Sequence, residues 1–371
     1  MSNKKSIEGN AADSEGLKRM NEVSNIDKKE EADSKVVQQA SIDAIDRASQ
    51  KLCSVITRNS DDLVVLRFRD MRYSSAYCRS TLGAARTSDT EFRYYLTAKS
   101  DIRDDKRFMD IFEIRVVMDT KSLRLFYPVI INNSADIDNK NSTKSRREYT
   151  HIVKDFPFQK LVVTDLISHE MILADIKEMI AVFLITALFE RVLDSLNTRF
   201  VVYLKENATN FNACDFAGYL NLQTHTDVRW HDLITAMQAQ FDVTFADRII
   251  PLKGANIVIA KPEVYWAISR DRIAPGYAYY SSGKVFGADN LELRNIFWDK
   301  NMDGLLLTNT QAVRIEVVDE VYVHHRRVVQ SASGENLHSL TAEVYYRFIP
   351  MKLPLPAIIS NGIPDLRALQ P

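Results

Sequence analysis

The stretch LKGANIVIAKPEVYWAISRD, residues 252–271, decides how the rest of the chain is interpreted. Its first half contains ANIVIA, a short apolar run of the kind found in buried strands. Lys261 and Pro262 end this run, and PEVYWAIS then predicts a helix, because proline is tolerated at the first helical position. No glycine-rich loop or nucleophile stands at the join, so the turn carries neither a phosphate-binding nor a catalytic signature.

A second amphipathic pattern precedes this stretch. In TDVRWHDLITAMQAQF, residues 226–241, the apolar side chains recur at helical spacing: Trp230, Leu233, Ile234, Met237 and Phe241. After the stretch, QAVRIEVVDEVYVHHRRVV (311–329) and LTAEVYYRFIP (340–350) predict strands, with the turn SASGEN between them. Residues 351–371 contain several prolines and predict an extended tail lying on the surface.

The longest helix is expected earlier in the chain. Ser168 is a suitable N-cap, and the helix is predicted to run from there to about Leu196. Its apolar side chains cover more than one stripe: Ile172, Ile176, Met179, Ile180, Phe183, Leu184, Leu188, Val192 and Leu196. At ~1.5 Å per residue such a helix is on the order of 40 Å long, which makes it a spine for other elements.

The region before this helix is rich in predicted strands. FEIRVVM and LRLFYPVII flank the polar link DTKS, which predicts a hairpin over residues 111–131. Residues 132–148 are too polar to pack and are expected to form a flexible tip, after which YTHIVKDFPFQKLVVTDL returns in extended form. An excursion with so little core of its own should lie against another surface.

The N-terminal region contains few large apolar residues. Residues 1–35 mix both charge signs with Ser, Asn and Gly, and we expect them to be mobile or only locally helical. Residues 36–56 form an amphipathic pattern whose apolar face is Ile42, Ile45, Ala48, Leu52, Val55 and Ile56. That face fits either a partner surface or the chain's own domain.

The composition excludes several classes of protein. Among 371 residues, 48 Lys and Arg balance 49 Asp and Glu, so the chain has no global excess of positive charge with which to hold nucleic acid. Cys53, Cys78 and Cys214 lie far apart, which indicates neither a disulfide framework nor a thiolate zinc site and fits a reducing cytosol. The most apolar run, residues 180–189, is far shorter than the ~20 residues needed to span a bilayer, so no membrane association is predicted.

Two short motifs imitate ligand-binding loops. SSGKVFG contains Gly283 and Lys284 but lacks the first glycine and the Ser/Thr of a P-loop, and a turn explains it better. DKNMDG places Asp299, Asn301 and Asp303 like the start of a calcium loop. Thr310 stands where the closing glutamate belongs, so a plain Asp-Gly turn is the preferred interpretation.

A cluster of histidines and aspartates raises the possibility of an enzyme. His225, Asp227, His231 and Asp232 could bind a metal or act as an acid-base pair. His231 and Asp227 would share the polar face of the predicted helix, with no third ligand nearby, so a solvated face with an N-cap is the simpler reading.

Two basic clusters could bind phosphate or the carboxylates of a neighbouring subunit. They are VHHRRVV, with His324, His325, Arg326 and Arg327, and KSRRE, with Arg146 and Arg147. Together they allow the hypothesis of a nucleic-acid-binding structural protein, which would bind naked DNA or RNA in a strongly salt-dependent way.

The order of these parts resembles the major capsid proteins of tailed bacteriophages, which share the Hong Kong 97-type fold with encapsulin shells. FQKLVVTDLISHEMILADI is similar to the strand that leads from the extended loop into the spine helix. The helix at residues 226–241, with ANIVIAKPEVYWAIS after it, is similar to the edge of the axial domain, and DGLLLTNTQAVRIEVVDEVYV to the late strands. The resemblance covers roughly residues 60–350 and is one of pattern and order, without an invariant motif.

The resemblance implies an α+β, Hong Kong 97-like capsid fold with an N-terminal arm, an extended β-hairpin loop, a long spine helix in a peripheral domain, and an axial α/β domain. The implied boundaries are 1–58 for the arm, 59–84 for a link, 85–158 for the extended loop, 159–205 and 318–350 for the peripheral domain, 206–317 for the axial domain and 351–371 for the tail. No position identifiably matches the crosslinking lysine and asparagine of the family.

The implied function is that of a non-enzymatic structural protein that self-assembles into an icosahedral capsid around double-stranded DNA, with no cofactor. Implied partners are other copies of the chain in hexamers and pentamers, scaffold, portal or decoration proteins, and DNA held by weak non-specific contact. Assembly in the host cytoplasm and a place in the virion follow. The candidate subunit-interface residues are Arg115, Arg124, Arg146, Arg147, Tyr279, Tyr280, Lys284, His324, His325, Arg326 and Arg327. The alternatives are the metal-dependent enzyme and the nucleic-acid-binding protein.

Overall fold

A computed structural model describes residues 63–71, 108–137, 143–168, 177–215, 230–245, 254–271, 296–328 and 337–361, together with helical positions scattered between 40 and 55. These residues form an α+β fold. The chain divides into two compact units. The first comprises Met1–Ile102, Asp165–Phe189 and Tyr322–Leu340, and the second comprises Arg103–Thr164, Glu190–Val321 and Thr341–Pro371.

The first unit contains β1 (Val64–Arg67), which pairs with β11 (Glu320–Val328) and continues directly into the short helix α1 (Phe68–Met71). Side chains along β1 are alternately buried and exposed, as expected for a strand with one covered face. Among the helical positions before β1, Ala48, Leu52 and Val55 are buried. The apolar face predicted for residues 36–56 therefore packs within the chain at these positions.

The larger sheet has the strand order β1, β11, β12 (Leu337–Pro350), β10 (Val313–Val318) and β2 (Glu113–Val117), and β5 (Gln159–Ser168) also pairs with β12. In its part that belongs to the second unit, β10 pairs parallel with β2 and antiparallel with β12. The long helix α2 (Lys177–Asn207) contributes aromatic side chains to this unit. The ring of Phe200 is 4.8 Å from that of Phe112 and 5.2 Å from that of Phe348, so helix and strands share one aromatic core.

The smaller sheet of the second unit has five short strands in the order β6 (Thr209–Asn210), β13 (Ala357–Ser360), β9 (Leu305–Thr308), β7 (Ile257–Ala260) and β8 (Ile296–Trp298). Every residue of β7, β9 and β13 is buried. The helices α3 (Trp230–Phe245) and α4 (Pro262–Asp271) accompany the sheet. The predictions of a strand at ANIVIA, a helix opened by Pro262 and an amphipathic helix at Trp230 are confirmed.

A long two-stranded ribbon completes the second unit. β3 (Leu123–Ile137) pairs antiparallel with β4 (Thr143–Phe156), from Leu123 opposite Phe156 to Ile137 opposite Thr143. At ~3.3 Å per residue, its 15-residue strand is ~50 Å long. We call β3 and β4 together the hairpin.

The predicted hairpin over residues 111–131 is wrong in its pairing. Both strands exist, but β2 joins the larger sheet beside β10, whereas β3 pairs with β4. The link at residues 119–122 therefore passes from one sheet to another instead of closing a turn. The flexible tip predicted for residues 132–148 is also wrong, because residues 132–137 and 143–148 continue the two strands. Backbone pairing in a ribbon needs no apolar side chains, so polarity alone did not mark the end of the strands.

The bounds of the long helix also differ from the prediction. Ser168 is the last residue of β5, and the described helix begins at Lys177 and ends at Asn207, eleven residues beyond Leu196. The predicted helix start falls at residues 169–176, which lie outside the described residues. The predicted surface location of the tail is wrong at residues 357–360, since β13 lies between β6 and β9 in the smaller sheet. The side chains of Ala357, Ile358 and Ile359 are buried, so this part of the tail belongs to the hydrophobic core.

Candidate assembly interface

The hairpin exposes one face formed by three cross-strand pairs. Within the described residues, β3 and β4 pair only with each other. Side chains that alternate along a strand share a face, and the pairs on this face are Arg124 with Asp155, Phe126 with Val153, and Pro128 with His151. All six residues are exposed. We call them the hairpin face.

The centre of the hairpin face is apolar. Phe126 is 63% exposed and its partner Val153 is 44% exposed. The ring of Phe126 is also 5.7 Å from that of His151. Covering an exposed aromatic ring and an adjacent aliphatic side chain with another surface lowers the free energy, because apolar area is removed from water.

An ion pair borders this apolar centre. Arg124 donates from Nε to Oδ1 of Asp155 at 2.7 Å and from Nη2 to Oδ2 at 3.1 Å. The two hydrogen bonds lower the pKa of Asp155 and raise that of Arg124. Arg124, a predicted interface residue, is thus exposed and already held in a fixed geometry across the two strands.

The root of the hairpin is held by a buried arginine on β12. Arg347 donates from Nε and Nη2 to Oε2 of Glu316 on β10, at 2.8 and 2.5 Å. Its Nη1 donates to the carbonyl oxygens of Lys121 and Phe156, each at 3.0 Å. One guanidinium therefore connects the larger sheet to the chain entering β3 and to the end of β4.

Two aromatic residues add to this root. The guanidinium carbon of Arg347 lies 4.2 Å from the centre of the Phe158 ring, a cation–π distance. Tyr127 is buried and donates from its hydroxyl to the carbonyl oxygen of Pro350 at 2.6 Å. Burial raises the pKa of Tyr127 to about 12. The root of the hairpin is therefore anchored to the larger sheet, whereas the hairpin face is exposed.

A polar network fastens the second half of α2 to the loop before β9. Asn197 accepts a hydrogen bond from the backbone N–H of Met109 at 3.0 Å and donates to Oδ2 of Asp299 at 2.9 Å. Lys205 donates to the carbonyl oxygen of Asn301 at 2.9 Å and to the carboxylate of Asp303. The helix is thereby fixed at Asn197 and Lys205, which lie about two turns apart along its axis.

The same network explains the calcium-like motif DKNMDG. Oδ1 of Asp299 accepts hydrogen bonds from the backbone and side-chain nitrogens of Asn301, at 2.8 and 2.9 Å, which closes a local turn. The ammonium group of Lys205 supplies the positive charge beside Asp303. The structure therefore supports the turn interpretation of these residues.

The predicted interface residues are scattered over the molecule. Arg115 is exposed on β2, and Arg146 and Arg147 lie on β4 in the outer hairpin, opposite Ser134 and Asn133. Tyr279, Tyr280 and Lys284, together with the motif SSGKVFG, lie outside the described residues. The structure thus brings Arg124, Arg146 and Arg147 onto one element and leaves Arg115 on another.

The HHRR cluster is split between the surface and the interior. His324, Arg326 and Arg327 are exposed on β11, whereas His325 is 3% exposed. Its Nε2 lies 2.8 Å from Nδ1 of His338 on β12, with the two rings stacked at 5.1 Å. Alternation along the strand turns His325 inward, so it is a core residue. The other three residues of the cluster form the basic surface.

The metal hypothesis falls largely outside the described residues. His225 and Asp227 are not among them, and for His231 and Asp232 only the helical backbone of α3 is described. No cluster of three or more metal-ligating side chains occurs in the ranges that the structure covers. Nor does the described part of the chain contain a helix that is long and apolar enough to cross a membrane.

Sequence reasoning missed the root of the hairpin. Glu316 is the charged residue in the segment IEVV, and Arg347 is the charged residue in VYYRFIP. Opposite charges in two buried strands indicate that the strands are neighbours and the charges are paired. The register places Glu316 directly opposite Arg347, so this signal was available in the sequence.

No protein-family model and no curated protein matches the chain. Solved structures similar to it include the capsid structure of the cyanophage P-SCSP1u, at 13% identity and a TM-score of 0.41, covering 70% of this chain and 89% of that one. A structure of Mycobacterium phage Adephagia matches at 10% identity and a TM-score of 0.43, covering 69% and 89%. A virus-like particle from Pyrococcus furiosus matches at 10% identity and a TM-score of 0.38, covering 68% and 91%.

Proposed function

We propose that this chain is a structural shell protein that self-assembles into an icosahedral viral capsid enclosing double-stranded DNA. The observation that carries the proposal is the hairpin, a ribbon ~50 Å long with a firm root, an exposed apolar centre and, within the described residues, no other strand beside it. A two-stranded ribbon is marginally stable in water unless something covers it. In a closed shell, an adjacent copy of the chain supplies that cover.

Symmetry allows the hairpin of every copy to be covered in the same way. In a ring of identical subunits, a projecting arm on each copy can lie on the next copy, and the ring closes when every arm is covered. The hairpin face suits such a contact because its apolar pair is bordered by an ion pair whose charges already neutralise each other.

The parts are proposed to correspond to a Hong Kong 97-like capsid protein. The hairpin belongs to the extended loop, residues 85–158, and lies over an adjacent subunit. α2 is the spine helix of a peripheral domain formed by residues 159–205 and 318–350. Residues 206–317, which include most of the smaller sheet, form the axial domain, and residues 1–58 form the N-terminal arm.

The charge balance fits a container better than a coat that binds nucleic acid tightly. With 48 basic and 49 acidic residues, the chain contacts the enclosed DNA weakly and without specificity. Scaffold, portal or decoration proteins are further partners in this proposal, with assembly in the host cytoplasm and a final place in the virion. The role requires no catalysis.

Light scattering after size exclusion, followed by negative-stain imaging, tests the proposal. We expect closed shells, or hexamers and pentamers, from the full chain. A monomer at every salt and protein concentration, with no larger species, would contradict self-assembly. Tight binding of naked DNA that weakens steeply with salt would favour the nucleic-acid-binding hypothesis instead.

A further inference from the structure

Arg347 contacts both ends of the hairpin, the chain entering β3 and the end of β4. Its Nη1 reaches the carbonyl oxygen of Lys121, two residues before β3, and that of Phe156, the last residue of β4, at 3.0 Å each. The same side chain is 8% exposed and is bound to Glu316, itself 3% exposed. A single buried cation therefore connects both ends of the hairpin to β10 and β12.

The chemistry of this contact requires arginine. A guanidinium presents five N–H donors in a planar fork, which allows Nε and Nη2 to bind Glu316 while Nη1 binds two carbonyls. Its flat face also lies over the ring of Phe158. A lysine ammonium could retain the contact with Glu316, but it cannot reproduce the fork and the stacked plane together.

The second attachment of the root also ends on β12. Tyr127 of β3 donates to the carbonyl oxygen of Pro350, three residues after Arg347. Beyond these contacts, the described hairpin face is exposed to solvent. The direction in which the ribbon leaves the sheet is thus determined at its root.

We propose that Arg347 is the positioning residue of the hairpin: by binding Glu316, the entry to β3 and the end of β4 together, it fixes the direction in which the ribbon projects. This inference rests on the proposed function for its consequence, which is that a ribbon pointing in one direction can reach the adjacent subunit. It concerns a residue within the fold and not the contact surface itself.

Hydrogen exchange of the full-length, unassembled chain tests the anchoring. In Arg347→Lys, we expect the amides of residues 123–127 and 153–156 to exchange at least about tenfold faster, the effect of losing a hydrogen bond from a charged donor. The amides of β10 and β12 should change less than about twofold, because their ladder does not depend on the carbonyls of the hairpin.

A second variant covers the case in which Arg347→Lys does not fold. The double change Glu316→Leu and Arg347→Met removes both buried charges together, which proteins often tolerate when the replacements pack well. It too should accelerate exchange at the root, because the two carbonyls lose their donor. The matched control is Arg124→Lys, the same substitution at the exposed pair of the hairpin, which should leave exchange at the root within about twofold of wild type.

Exchange at the root that stays within about twofold of wild type in both variants would overturn the inference. Particle yield is the second readout: in a chain that assembles, Arg347→Lys should lower it at least tenfold, and an unchanged yield despite faster exchange would overturn the positioning role while leaving the proposed function intact. If the wild-type chain forms no particles, the proposed function fails, and the exchange comparison alone decides whether Arg347 anchors the hairpin.

Discussion

The hairpin and the smaller sheet are both built from β-strands, but they obtain their stability in opposite ways. The strands of the hairpin are 15 and 14 residues long and expose Phe126 and Val153. β7, β9 and β13 have four residues each and bury all of them. Short strands suffice where helices and neighbouring strands cover both faces, whereas the long ribbon extends beyond anything that covers it in this chain's described part.

The comparison distinguishes the region that stabilises the fold from the surface proposed for association. Removing apolar area from water contributes ~25 cal/mol per Å², wherever the covering surface comes from. In the smaller sheet that surface belongs to the chain itself, so mutations there should affect the free energy of unfolding. On the hairpin face we propose that it belongs to another copy, so mutations there should affect assembly.

The largest expected effect on folding is in the smaller sheet. Ile358→Ala leaves a cavity between β9 and α3, where Ile358 is fully buried in the core cluster, and should lower the free energy of unfolding by about 2–5 kcal/mol. Urea denaturation of the unassembled chain measures this change.

Phe126→Ala is the matched variant on the hairpin. Its side chain is 63% exposed, so the same measurement should change by no more than about 0.5 kcal/mol. Equal losses for Phe126→Ala and Ile358→Ala would remove the distinction between the two regions.

A smaller effect is expected at the root, and it depends on pH. Burial raises the pKa of Tyr127 to about 12, above its ordinary value of 10.0. The stabilisation from the neutral hydroxyl is thus fully present below pH 10 and is lost as the pH rises through 12. Tyr127→Phe should lose about 1 kcal/mol at neutral pH, because one buried hydrogen bond disappears.

Urea denaturation between pH 9 and pH 12 separates this contribution from that of other tyrosines. Burial also raises the pKa of Tyr203 and Tyr346, so both proteins should lose stability at alkaline pH. The wild type should lose more than Tyr127→Phe, so its advantage at neutral pH should disappear between pH 10 and pH 12. Parallel curves over this range would show that the Tyr127 hydroxyl is not the buried group we describe.

The smallest effect is expected at the exposed ion pair. Arg124→Gln removes a partner of Asp155, but both side chains are more than half exposed, so its thermal midpoint in 0.15 M salt should be close to that of wild type. Arg124 lowers the pKa of Asp155 from 3.8, so any stabilisation is present above pH 3.8 and is lost as the pH falls through the lowered value. A large loss at neutral pH would mean that the pair is shielded from solvent.

The sequence predicted the elements whose signals are local. ANIVIA, followed by Lys261 and Pro262, combines an apolar run with a helix start within a few residues, and the periodicity of Trp230, Leu233 and Ile234 repeats over each turn. These signals do not depend on distant partners. They identified strand β7, helix α4 and helix α3.

Pairing and polar contacts depend on distant residues and were not predicted. β2 and β3 both have strand-like sequences and are separated by five residues, and nothing in either one shows that β2 instead pairs with β10, some 200 residues later in the chain. The hydrogen bonds of Arg347 reach positions 121, 156 and 316, which alternation within a single strand cannot reveal. The outer hairpin lacks an apolar face, so a pattern of burial could not mark it as strand.

The measurement that tests the central claim most directly is particle formation by wild type and by the double variant Phe126→Asp and Val153→Asp. Light scattering and negative-stain imaging would be made on both proteins at the same concentration and salt. We predict shells or capsomers from wild type, and folded, unassembled chains with an unchanged thermal midpoint from the variant, because two carboxylates on the hairpin face cannot be buried without partners. Particles formed equally well by both proteins would contradict the hairpin's role in assembly, and a wild-type chain that never assembles would contradict the shell function itself.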